Sequence, residues 1–125
     1  MKIRSHRELD VYNLAFEAAM KIYELTRNFP NEEKYSLTDQ IRRSSRSVCS
    51  NIGEGFRKRR YEKSFISKLN DSEGEACETQ VWLEFSLRCN YINKENFDEL
   101  NKTYENVIGK LFNMALHPEN WSFTN

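Results

Sequence analysis

Apolar side chains recur in this chain at steps of three and four residues, in four long segments separated by short polar links. That spacing gathers them on one side of an α-helix, which must then bury its stripe against other helices. The clearest run is Leu37, Ile41, Ser45, Val48, Ile52 and Phe56. It passes without a break through "QIRRSSRSVCSNIGEGFRKRR", residues 40–60, whose serines, glycines and seven Arg/Lys also suit a phosphate-gripping loop or a nucleic-acid strip. A phosphate loop, however, needs glycines spaced at a strand-to-helix turn. "NIGEG" fits neither GxGxxG nor GxxxxGK[ST]. Gly53 and Gly55 are therefore expected inside a helix or its last turns. Each costs about 1 kcal/mol there relative to alanine, so the missing side chain should let another backbone come close.

The same reading places helices at about 8–28, 37–57, 61–89 and 94–116. The first carries Leu9, Tyr12, Phe16, Ala19 and Tyr23, with Ala15, Met20 and Ile22 widening the apolar face, and Pro30 stops it. Ser36 is the expected cap of the second, and Asp39 suits the positive helix end. Phe65, Leu69, Ser72, Ala76, Leu83 and Leu87 line the third, with Asn90 as a left-handed stop. Asn93 caps the fourth, in which Phe97, Leu100, Tyr104, Val107 or Ile108, Leu111 and Ala115 repeat before His117-Pro118 ends it. Helices this long on short links pack antiparallel at about 20°. The predicted fold is thus all-α, an antiparallel up-down four-helix bundle, in one domain over 1–125 with a short C-terminal tail ordered at least to Trp121 and Phe123. Only four Gly and two Pro among 125 residues agree with that class.

The 19 basic residues cancel the 19 acidic ones, which argues mildly against gripping nucleic acid by overall charge. Locally the balance is uneven. Residues 41–63 hold eight basic and two acidic side chains, and residues 71–84 five acidic and no basic ones. On the second helix Gln40, Arg43, Ser47, Asn51, Glu54 and Lys58 form a polar stripe away from Ile41 and Val48; Asp71, Glu75, Glu78 and Trp82 follow the same spacing on the third. Either these stripes neutralise each other within the fold, as ion pairs worth about 0–1 kcal/mol each, or they meet across a subunit interface and set its register. The second choice makes Gln40, Arg43, Ser47, Asn51, Glu54, Glu75 and Glu78 interface residues. Arg57, Lys58, Arg59 and Arg60 stand where the second helix ends. Cations are stabilising at that negative pole whatever else they do, and as a nucleic-acid site they would hold phosphates without reading bases.

Catalytic chemistry finds little to work with. The two histidines, His6 and His117, do not follow a Glu at the Glu-x-x-His spacing of bundle metal sites, and no metal or other cofactor is expected. His117 reads as a cap or packing residue at the end of the fourth helix. The serines lack a nucleophile elbow and read as small residues for close helix packing. Nothing places a histidine base against Cys49 or Cys89, so no enzymatic activity is expected. Cys49, Cys77 and Cys89 are odd in number and without CxxC spacing, and read as reduced, mostly buried side chains of a cytoplasmic protein. No apolar run exceeds three residues, against roughly 20 for a membrane span, and "MKIRSHRELD" lacks the apolar stretch of a secretion signal.

Phe29-Pro30, Glu33, Tyr35, Leu37, Gln40, Ile41, Arg42-Arg43, Ser47, Asn51-Ile52, Glu54-Gly55 and Arg57 or Arg59, followed by "SEGEACETQVWL", resemble the family of four-helix bundles named after proteins encoded in 23S rRNA intervening sequences, once labelled S23 ribosomal proteins. The resemblance runs from about Leu9 to Asn90, more loosely through the fourth helix. It implies a non-enzymatic homopentamer, similar to the basic accessory subunit of diversity-generating retroelements, which binds a reverse transcriptase and its RNA. The expected partners are therefore further copies of the chain, and structured RNA or an RNA-binding protein. The alternative expectation is a pure protein-interaction module displaying aromatics such as Trp82 or Trp121. Two features depart from the family: Gly53 stands where alanine is common, and the net charge is zero.

Overall fold

The computed structural model describes residues 3–121. Four helices follow one another, α1 (Asp10–Thr26), α2 (Leu37–Arg57), α3 (Glu62–Arg88) and α4 (Lys94–Leu116), with 3-10 turns at His6–Glu8, Asn31–Glu33 and Pro118–Trp121. Each packs antiparallel on the next, and α1 meets α4 to close the bundle. Trp121 packs on the core from the last turn, whereas Phe123 lies outside the described residues.

Local chemistry sets the helix ends. The link from α3 to α4 turns at Asn90, whose φ of 64° is left-handed as expected. Tyr91 N then donates to the Ser86 carbonyl and Asn90 N to that of Leu87, each at 2.9 Å, which satisfies the last carbonyls of α3. The Asn93 side chain accepts from Asn96 N (2.7 Å) and caps α4. The start of α2 differs from expectation. Ser36 occupies the cap position, but its side chain makes no capping bond. Glu33 Oε1 instead accepts from Leu37 N (3.3 Å), while Glu33 Oε2 accepts from the Tyr91 hydroxyl (2.8 Å). That bond to a carboxylate pushes the Tyr91 phenol up to about 12. The first helix is shorter than predicted because Ser5 and Glu8 form a capping box around the 3-10 turn and Leu9 leaves it extended.

The buried faces of α2 and α3 follow the expected periods. Leu37, Ile41, Ser45, Val48, Ile52 and Phe56 are all buried, as are Phe65, Leu69, Ser72, Ala76 and Leu83. Leu87 is only half-buried, because Ser86 takes the inner position at the end of α3. Helix α1 is rotated from its predicted face. Val11, Ala15, Ala18, Ile22 and Thr26 point inward, whereas Phe16 and Met20 are 43% and 47% exposed. Two alanines on the inner face let α1 lie close to its neighbours, and the larger side chains move to its flanks. On α4, Val107 is buried while Ile108 is half-buried, and Met114 rather than Ala115 ends the buried stripe.

The seam between α2 and α3 is built from small residues. Thr79 Oγ1 lies 2.8 Å from both Ser44 Oγ and the Glu75 carbonyl, and Ser72 Oγ donates to the Val48 carbonyl (2.8 Å). The hydroxyls of Ser44, Ser72 and Thr79 thus find partners inside the seam, where an unpaired one would cost about 1–3 kcal/mol. Gly55 faces the same seam. A Cβ there would sit 3.1 Å from Lys68 Cβ, a tight contact, while the nearest backbone atom, the Phe65 carbonyl oxygen, is at an ordinary 3.7 Å. The glycine thus makes room for a neighbouring side chain rather than for a backbone. At Gly53 the nearest neighbour is the His6 ring at 3.7 Å, an ordinary contact. Gly53→Ala should therefore raise stability by about 1 kcal/mol, while Gly55→Ala should lower it by forcing the helices apart. Urea midpoints of the two variants test this; equal shifts of the same sign would contradict the packing described.

The cysteines divide otherwise than expected, since Cys49 is buried but Cys77 and Cys89 are exposed. Burial pushes the Cys49 thiol up to about 11. In native protein at pH 8, a thiol reagent should label Cys77 and Cys89 promptly and Cys49 only after denaturation, as counted by mass spectrometry.

Candidate nucleic-acid interface

Helix α2 ends at Arg57, and Lys58 follows with φ −95° and ψ 15°. Arg59 turns back over that end. Its Nη1 donates to the Phe56 carbonyl (2.9 Å), and its guanidinium carbon lies 3.9 Å from the centre of the Phe56 ring. One cation of the four is thus anchored to the helix pole that attracts it. Partial burial, and then the charge of Arg57, push Arg59 below its ordinary value. The Arg60 guanidinium lies over the Tyr61 ring at 5.0 Å. Arg57, Lys58 and Arg60 form no ion pair among the described residues. The N-terminal segment runs beside this end, so that Arg4, His6, Glu54, Arg57 and Lys58 line one groove of about 460 Å³. Spacing within α2 gave no sign that Arg4 would join the cluster.

The polar stripe is ordered within the single chain. Arg43 reaches across the seam to α3, where Nη1 donates to Glu75 Oε1 (3.1 Å) and Nη2 pairs closely with Glu78. Gln40 Oε1 accepts from Arg43 Nε (3.2 Å), and Trp82 Nε1 donates to Glu78 Oε2 (3.0 Å). Partial burial works against the Arg43 charge, but the hydrogen bonds and attraction of Glu78 and Glu75 outweigh it and raise its pKa. Further along, Asn51 Nδ2 donates to the Ser47 carbonyl (2.9 Å) and to Ser47 Oγ (3.1 Å), and Lys68 pairs with Glu54 (3.3 Å). The opposite stripes therefore meet inside the fold, at the α2–α3 seam.

Other candidates separate. His6 packs edge-on against Tyr12, with ring centres 4.7 Å apart. The His117 backbone N–H closes α4 on the Asn113 and Met114 carbonyls, while its exposed ring faces Glu119 at 3.5 Å. Among the described residues no three His, Cys, Asp or Glu side chains gather as metal ligands, and no helix is long and apolar enough to cross a membrane. Trp82 and Trp121 are half-buried against the core. Among the described residues, the exposed Phe and Tyr side chains are instead Phe16, Tyr35, Tyr61, Phe85 and Phe112.

No curated protein matches the chain. Among solved structures it is similar to a protein of unknown function from the S23 ribosomal protein family of Bacteroides thetaiotaomicron, with a TM-score of 0.75 and 32% identity over 84% of this chain and 97% of that one. The family model described as 23S rRNA-intervening sequence protein matches residues 7–113. That match takes in α1 to α3, with the basic end of α2, and most of α4, and the chain belongs to the 23S rRNA-intervening sequence protein family.

Proposed function

We propose that this protein is a non-enzymatic, homo-oligomeric accessory or scaffold associated with structured RNA, assembling as a pentamer, in the manner of the accessory subunit of diversity-generating retroelements. The observation that carries the reading is the end of α2, where Arg57, Lys58, Arg59 and Arg60 gather and Arg59 is held in place by Phe56. Fivefold repetition would bring about twenty such charges to one rim, enough to hold an RNA backbone by counterion release. The prearranged stripe of Gln40, Arg43, Ser47, Asn51 and Glu54 supports a subunit contact. Gln40 holds Arg43 and Ser47 holds Asn51, while Arg43 and Glu54 are also held by Glu75, Glu78 and Lys68 of the same chain, so little freedom is lost on docking.

Replacing Arg57, Lys58, Arg59 and Arg60 by alanine should abolish retention of a structured RNA in a low-salt gel shift, and wild-type binding should weaken steeply with salt. Unchanged affinity would refute the rim. Native mass spectrometry should report five subunits for the wild type and a monomer for Ser47→Arg/Asn51→Arg; a wild-type monomer would remove the scaffold reading.

The exposed Phe16, Met20, Val81, Phe85, Phe112 and Leu116 favour a second reading, a module that binds another protein and no nucleic acid. RNA retention at neither low nor high salt would select it.

A further inference from the structure

Beside the polar stripe, α2 presents another face. Arg42, Arg46 and Ser50 repeat at steps of four, displaced toward α1, and with Lys34, Tyr35 and Thr38 they line a groove of about 660 Å³. The cations of this groove, like Arg59 and Arg60 at the rim, are held against aromatic rings. Arg42 donates from Nε to Thr26 Oγ1 (2.8 Å), and its guanidinium carbon sits 4.8 Å from the Tyr23 ring centre. Arg46 lies over the same ring at 6.0 Å. One aromatic on α1 therefore positions two guanidinium groups a single helical turn apart. Both terminal nitrogens of Arg42 lack a protein acceptor, and Lys34, Arg42 and Arg46 form no ion pair among the described residues. Arg43 and Ser47 of the polar stripe also border the groove, so the two surfaces share an edge, and Arg43 is occupied by Glu75 and Glu78. The only carboxylate in the lining is Asp39, itself unpaired among the described residues.

Two further observations point to a ligand. Tyr35 is 86% exposed, with the Lys34 ammonium 5.4 Å from its ring centre. An aromatic face left in water beside unpaired cations is the combination that stacks a base while its phosphates are neutralised. Thr38 is only 8% exposed, yet its hydroxyl has no hydrogen-bond partner.

The geometry points to this groove as a binding site for single-stranded nucleic acid, with Lys34, Arg42 and Arg46 on the phosphates and Tyr35 stacked on an unpaired base. The site deepens the nucleic-acid reading above and is separate from the Arg57–Arg60 rim. An acidic peptide would satisfy the cations but leave the Tyr35 ring unused. A duplex hides its base faces from the ring.

The test is fluorescence anisotropy of a labelled oligouridylate with the full chain, at several salt concentrations. Lys34→Ala/Arg46→Ala should weaken binding and reduce the log–log salt slope by about 1.4, two phosphate contacts at about 0.7 each on a single strand. Tyr35→Ala should weaken binding about ten-fold with the slope unchanged, as loss of one stacked base predicts. Circular dichroism melts confirm that both variants fold. Binding unaffected by these variants but abolished by the Arg57–Arg60 alanine variant would overturn the groove and leave the proposed function standing. The reverse pattern establishes the groove and removes the rim. A wild type that binds no oligouridylate at low salt but retains structured RNA also overturns the groove, and one that binds neither overturns both readings. Equal competition by polyglutamate of matched charge would assign the groove to an acidic protein segment instead.

Discussion

The close contact of α2 with α3 is the constraint on which the other features depend. Two helices can approach this nearly only where side chains are small, and the seam supplies Ser44, Gly55, Ser72, Ala76 and Thr79 at the required turns. Serine and threonine are modest helix formers because their hydroxyls compete for backbone partners. Here those hydroxyls find acceptors within the seam, so the tendency that weakens an isolated helix joins two packed ones. Short separation also brings Arg43 within reach of Glu75 and Glu78; a wider seam built from leucines would leave that guanidinium in water.

Much of this was legible from spacing. In α2 every expected apolar position is buried, because its opposite face is so polar that only one orientation hides the stripe. Helix α1 misled for the reverse reason. It has apolar side chains on more than one side, and size, to which periodicity is blind, decided that Ala15 and Ala18 rather than Phe16 and Met20 turn inward. Ser36 misled as a cap because a carboxylate three residues earlier, Glu33, already served the Leu37 amide. At the candidate site, Arg57 to Arg60 were visible as a run of cations. The engagement of Arg42 and Arg46 by Tyr23 was not, since it joins two helices whose relative rotation a single sequence leaves open.

Net charge proved a coarse guide. Equal numbers of acids and bases suggest a neutral surface, but folding sorts them. The acidic block of α3 is spent partly on Arg43, and Lys68 takes Glu54. What remains on the α1 side of α2, and beyond its last turn, is mostly positive. A chain with no net charge can therefore present two cationic surfaces, and their strength depends on which carboxylates the bundle has already engaged.

The two oxygens of Glu33 serve neighbours that lie far apart in the chain, one holding the first amide of α2 and the other the phenol of Tyr91, 58 residues on. With Phe29 against the Tyr91 ring at 5.2 Å, the connections at this extremity of the bundle share one fastening. Neither loop can drift outward without loosening the other. Sequence drift in the α3–α4 connection is thereby felt at the entry to α2, which makes two segments that look like independent spacers a single mechanical hinge plate.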